Sequence, residues 1–272
     1  MFRALVLFAS IPAVSALAVP ALAASSDWYE AEGAAVRLLA SGAPDEQGVL
    51  KGALQIELKP GWKTYWQDPG DAGVPPSLDV SASRNVAAAD IAFPAPERFD
   101  DGFAKWAGYK EPVTFAVRFR LSDPKAPAEI DARIFLGVCE TICVPLQAEL
   151  SLDASADADN PDDAAIVQAA FDALPGPEQP DFGVTLLAGG KDEVLVEAAF
   201  PGEPDAVDFF LVGSTDGYQF APPQRRVEGE RLLFSASILA RPDKAPEKGG
   251  LNYTLVTAGG AVSGTLPYPP AP

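Results

Sequence analysis

The residues best suited to chemistry are two thiols, Cys139 and Cys143, the sequence's only cysteines, separated by Glu140, Thr141 and Ile142. They follow an N-terminal stretch that reads as an export signal, and in an oxidising compartment close cysteine pairs are commonly disulfides. As a staple, such a bridge does little. Chain entropy assigns about 2 kcal/mol to so small a ring, against about 4–5 kcal/mol for a 100-residue loop. A chain of 272 residues can build its stability from apolar burial instead. The pair therefore reads as a redox pair, with a static hairpin disulfide as the alternative. In sequence no Lys, Arg or His adjoins it, and Glu140 does. Nothing local favours the thiolate, which suits a reductant opened by a partner better than a constitutively reactive nucleophile.

The rest of the composition removes most other chemistries. There is no histidine, so Ser-His-Asp and Cys-His catalysis, His-ligated zinc or copper and an imidazole base are excluded. Two thiols alone would hold Cu(I) only weakly, which disfavours copper handling; no metal and no cofactor is expected. The net charge of −18 repels nucleic acid and anionic lipid and otherwise serves solubility.

The elements that must position the thiols read as β-strands. Arg3, the apolar stretch Ala4 to Val19 and the small-x-small triplet Ala21-Leu22-Ala23 predict a signal peptide over 1–23. A retained anchor is the alternative to cleavage. Proline (27) and glycine (23) punctuate short alternating apolar runs, the pattern of a β-sandwich. Val49 to Leu58 is one strand. Val113 to Arg120 is another, with Val113, Phe115, Val117 and Phe119 on one face. Glu129 to Val138 and Val144 to Leu152 form a hairpin with the cysteines at its turn, where facing arms bring Cβ atoms to about 4–5 Å. Asn160 as N-cap, Pro161 and two aspartates open a helix that Pro175-Gly176-Pro177 closes. Beyond it, Val194 to Phe200, Asp208 to Val212, Leu232 to Ser237 and Tyr253 to Thr257 read as strands of a second β-domain. The expected fold class is all-β: an immunoglobulin-like sandwich over 27–153, an acidic linker with a short helix over 154–180, and a second sandwich over 181–272.

Four segments carry a more specific likeness. They are Gly61-Trp62-Lys63-Thr64-Tyr65-Trp66-Gln67-Asp68-Pro69-Gly70-Asp71, Phe93-Pro94-Ala95-Pro96-Glu97-Arg98-Phe99, Gly108-Tyr109, and Gly137-Val138-Cys139-Glu140-Thr141-Ile142-Cys143-Val144-Pro145. In their order and spacing, Gly61 to Leu150 resembles the N-terminal periplasmic domain of the thiol:disulfide interchange protein DsbD, especially its ScsB-like branch. The resemblance implies an immunoglobulin-like module that passes electrons from a membrane-embedded thiol reductase to periplasmic thioredoxin-like proteins. It implies that Cys143 forms the mixed disulfide and Cys139 resolves it. It also implies a cap loop over the cysteines, placed on Asp100-Asp101-Gly102-Phe103 with Phe103 as the lid. Tyr65 matches a family tyrosine near the cysteines, and Tyr109 occupies a similar position. Full-length members continue into a multi-helix membrane domain and a thioredoxin-like domain. This chain shows neither, so the resemblance implies a stand-alone module whose electron donor is a separate protein, or one that has lost the shuttle role.

Each neighbour has a plainer reading beside this one. Asp100 and Asp101 can be a solvated turn, Phe103 a loop anchor, and Trp62, Tyr65 and Trp66 core packing. At the level of the molecule, the alternative to a periplasmic exchange module is a non-catalytic binding or scaffolding module with a structural disulfide. Whether the chain is a protein-disulfide reductase component stays open at this point.

Overall fold

The computed structural model describes residues 23–269 apart from 71–72, 101, 103–104, 157–159, 204–205, 245 and 247. The expected signal peptide, Asp101 and Phe103 lie outside the described residues, except that the signal's last residue, Ala23, begins the first strand. The chain is all-β with two sandwiches. In the N-terminal lobe the strands are β1 (Ala23–Ser25), β2 (Tyr29–Glu30), β3 (Ala34–Ser41), β4 (Val49–Leu58), β5 (Lys63–Gly70) and β6 (Ser77–Asp79). They continue with β7 (Val86–Ala92), β8 (Glu97–Asp100), β9 (Lys105–Tyr109), β10 (Val113–Leu121), β11 (Glu129–Cys139) and β12 (Cys143–Asp153).

One sheet runs β1-β3-β4-β10-β7 with β2 on the side of β3; the other runs β12-β11-β5-β9-β8 with β6 against β11. Period-2 burial makes this a sandwich. Leu54, Ile56, Phe115, Val117 and Phe119 of the first sheet meet Ile130, Ile134, Leu136, Val138 and Leu146 of the second in one core. The outward positions of β11, among them Gly137 and Cys139, are thereby set on the far face of the second sheet.

Helix α1 (Pro161–Asp172) starts where the sequence places it. The Asn160 side chain accepts hydrogen bonds from the N–H groups of Asp162 and Asp163. Although it falls in the stretch expected as linker, the helix is packed. Val167 and Ala170 cover Leu39, Ala53 and Ala116 on the outer face of the first sheet. The buried Asp163 carboxylate lies 3.5 Å from Arg37.

The C-terminal lobe contains β13 (Gly176–Pro177), β14 (Gly183–Gly189), β15 (Glu193–Ala199), β16 (Asp208–Val212) and β17 (Gln219–Phe220). It ends with β18 (Gln224–Glu228), β19 (Arg231–Ala240), β20 (Leu251–Thr257) and β21 (Gly260–Leu266). Its sheets, β13-β21-β20-β16 and β14-β15-β19-β17 with β18 beside β19, enclose a second core. Strand β16 is buried on both faces: Phe209 and Leu211 join the core of their own lobe, whereas Phe210 and Val212 join that of the N-terminal lobe.

Candidate functional site

The β11–β12 hairpin has unbroken antiparallel register from Glu129↔Asp153 to Cys139↔Cys143. The cysteines therefore face each other across its end, with Cα atoms 4.1 Å apart, and are joined as a disulfide. The two sulfurs differ in surroundings. Cys139 is 1 % exposed, whereas Cys143 is exposed, beside Ile142 at 76 % exposure on the turn.

What buries Cys139 is an aromatic cluster on the outer face of the second sheet. Strand β5 runs next to β11, pairing Thr64 with Val138 and Lys63 with Cys139. The Thr64 hydroxyl donates to the Gly137 carbonyl at 2.9 Å, pinning β5 at this point. The Tyr65 ring then lies over Gly137, where an added Cβ would sit 3.1 Å from ring carbons. Its hydroxyl comes within 3.0 Å of Cys139 Sγ and 3.2 Å of Cys143 Sγ. Trp106 of β9 meets Tyr65 edge-on at 5.7 Å, and Phe99 of β8 stacks on Trp106 at 4.2 Å. Gly108 makes the close β5–β9 approach possible, since a Cβ there would fall 2.2 Å from the Thr64 carbonyl oxygen.

Two cations border this cluster. Lys63 Nζ lies 4.4 Å from the centre of the Trp106 ring, and Lys110 Nζ lies 3.9 Å from that of Phe99. The sequence shows no positive charge adjoining the pair. Strand register supplies one, by setting Lys63 opposite Cys139. That corrects the expectation of a site with no cation close by.

The other expected neighbours fall in different places. Asp100 is exposed in the β8–β9 turn, where it accepts from the Gly102 N–H at 3.0 Å and faces Lys105 Nζ at 3.9 Å. Tyr109 lies on the inner face of β9, in the sandwich core, and donates its hydroxyl to the Pro94 carbonyl at 2.8 Å. Burial pushes that phenol well above the ordinary tyrosine range. Of the aromatics after Pro60, Trp66 is buried in the core, Trp62 packs partly buried against it, and Tyr65 alone touches the sulfurs. Phe99 and Trp106 were not foreseen at the site. The available signal was their symmetric placement about a turn, since register pairs Phe99 with Trp106 and Asp100 with Lys105.

Residues 34–155 match the family described as the N-terminal part of thiol:disulfide interchange protein DsbD. This stretch is a DsbD N-terminal-like domain. It holds all of the elements that build the disulfide site. The crystal structure of the N-terminal periplasmic domain of ScsB from Proteus mirabilis matches with a TM-score of 0.68 at 20% identity, over 90% of this chain and 98% of that one. The likeness establishes that the fold of both lobes recurs. None of the curated proteins compared with the chain matches it. The DsbD N-terminal-like stretch carries both cysteines of the Cys139–Cys143 disulfide. Among the described residues no helix is long and apolar enough to cross a membrane.

Proposed function

We propose that the protein is a periplasmic dithiol–disulfide exchange module that takes electrons from a membrane-embedded thiol reductase and passes them to thioredoxin-like proteins. The observation that carries this is the inequality of the sulfurs under one hydroxyl: Cys143 exposed, Cys139 buried, Tyr65 in contact with both. A staple needs no such asymmetry. An exchange pair does, because one sulfur must meet the partner and the other must stay sheltered until it resolves the intermediate.

In the reducing direction, the Cys143 thiolate attacks one sulfur of the partner's disulfide. A Cys143–partner bond forms, and the partner's other sulfur leaves as thiolate and takes a proton. The Cys139 thiolate then attacks Cys143 Sγ, closing the Cys139–Cys143 bond and releasing the partner's second thiol. Two electrons pass to the partner, which leaves as a dithiol. Recharging by the donor runs the same steps backwards, with Cys139 as the leaving sulfur. Tyr65 is placed to donate a hydrogen bond to that thiolate as it forms, and Lys63 adds positive charge on the same side.

The roles of Cys143 and Cys139 are tested by trapping. Cys139→Ala should accumulate a mixed disulfide through Cys143 with a thioredoxin-like partner on non-reducing gels of periplasmic extract, and Cys143→Ala should not. If only Cys143→Ala captures a partner, the roles are reversed. If neither does, a binding or scaffolding module with a structural bridge is the better account.

A further inference from the structure

The C-terminal lobe holds no cysteine, yet it grips the strands that cover the disulfide. Arg98 on β8 directly precedes Phe99. Its Nε donates to Asp208 Oδ2 at 3.0 Å and its Nη2 to the Phe209 carbonyl at 2.7 Å, while the guanidinium lies 4.4 Å from the centre of the Phe210 ring. On β5, three residues after Tyr65, the Asp68 carboxylate accepts the N–H groups of Gly213 at 2.9 Å and Ser214 at 3.2 Å. Between these anchors Trp66 meets Phe210 edge-on at 5.6 Å. Trp106 lines a cavity of about 40 Å³ between the lobes, opposite Phe220 and Pro222. Its buried indole N–H meets no acceptor among the described residues; the ring contacts Tyr65, Phe99 and Lys63.

Arg98 and Phe99 point to opposite purposes from adjacent positions on one strand, one to the C-terminal lobe and one to the disulfide cover. Within its own lobe this four-residue edge strand pairs with β9 on one side, and the Arg98 contacts add an anchor from the C-terminal lobe. We propose that Arg98 and Asp68 are positioning residues through which the C-terminal lobe holds Phe99, Trp106 and Tyr65 over Cys139, so that this lobe sets access to the sheltered sulfur. The purpose of that control rests on the exchange function, but the physical claim does not. It can be read without any partner.

The reading is differential alkylation of the reduced full-length protein, with exposed Cys143 as internal reference and the labelled sites resolved by mass spectrometry. Arg98→Ala should raise the Cys139 to Cys143 labelling ratio about tenfold, the loss of a charged two-point contact being worth at least that much. Arg98→Lys should restore part of the difference, since an ammonium keeps the charge but not the fork to Asp208 and Phe209. Asp208→Asn, which keeps side-chain size, should raise the ratio in the same direction. Phe99→Ala should raise it as well, and adding Arg98→Ala to it should change little, because both act on one cover. Leu232→Ala in the core of the C-terminal lobe controls for lost stability and should leave the ratio where it was. A ratio unmoved in Arg98→Ala and Asp208→Asn, or one moved equally by Leu232→Ala, would show the contact to be structural only and overturn the proposal. A protein that traps no partner but shows the expected ratios would refute exchange and leave the clamp standing.

Discussion

Cys139 and Cys143 are equivalent in sequence spacing, and only burial separates them. That separation comes from Tyr65, Trp106 and Phe99, which no residue-by-residue reading ranks above other aromatics. Of the three, only Tyr65 was legible, through the family likeness; Phe99 and Trp106 became visible only once the β8–β9 register paired them. Lys63 was hidden for the same reason, since it is 76 positions from Cys139 in the chain and opposite it in the sheet. Tyr65→Phe should slow reduction of the disulfide by dithiothreitol about tenfold, the cost of losing a hydrogen bond to a forming thiolate. Stopped alkylation time courses would measure it, and an unchanged rate would remove Tyr65 from the chemistry. Tyr109 belongs to stability instead. Burial raises its folded-state pKa, so the neutral phenol stabilises the fold fully below about pH 10, and that contribution is lost as pH rises beyond. Tyr109→Phe should therefore flatten the alkaline fall of stability in urea titrations above about pH 10, at some cost at neutral pH from the Pro94 carbonyl left without its donor.

Among the elements, those with clean alternation or clear end signals were readable and those shaped by irregular residues were not. Strand β4 spans Val49–Leu58, the range its pattern gives, and β10 buries Phe115, Val117 and Phe119 as expected. Strand β5 escaped notice because Pro69 and Gly70 break the pattern of a strand; its register against β9 slips between Tyr65 and Gly70. Short β8 offered too few residues for any period to show. Helix α1 announced itself through Asn160 and Pro161, but its packing on the first sheet did not, since alanine-rich faces carry a weak apolar signal. Asn160→Ala should destabilise the protein by about 1 kcal/mol, seen as a lowered urea midpoint. An unaltered midpoint would mean that packing against Leu39 and Ala116, not the cap, holds the helix.

At the scale of the whole molecule, the two lobes share β16, which the run Val207-Asp208-Phe209-Phe210-Leu211-Val212 foreshadows: an apolar stretch without alternation is buried on both faces. Sequence alone could not say that its second face would meet the strands around a disulfide. With two cores and a shared strand, the fold draws little from a five-residue ring worth about 2 kcal/mol. Thermal melts with and without dithiothreitol should accordingly differ by only a few degrees, and collapse of the transition on reduction would mark a staple. The most direct test is the reduction potential of the Cys139–Cys143 pair, from equilibration in glutathione buffers followed by acid quench and alkylation. An exchange pair should titrate above about −300 mV, within reach of thiol partners, with the dithiol form still folded; a value below about −300 mV would place it among structural bridges and contradict the account.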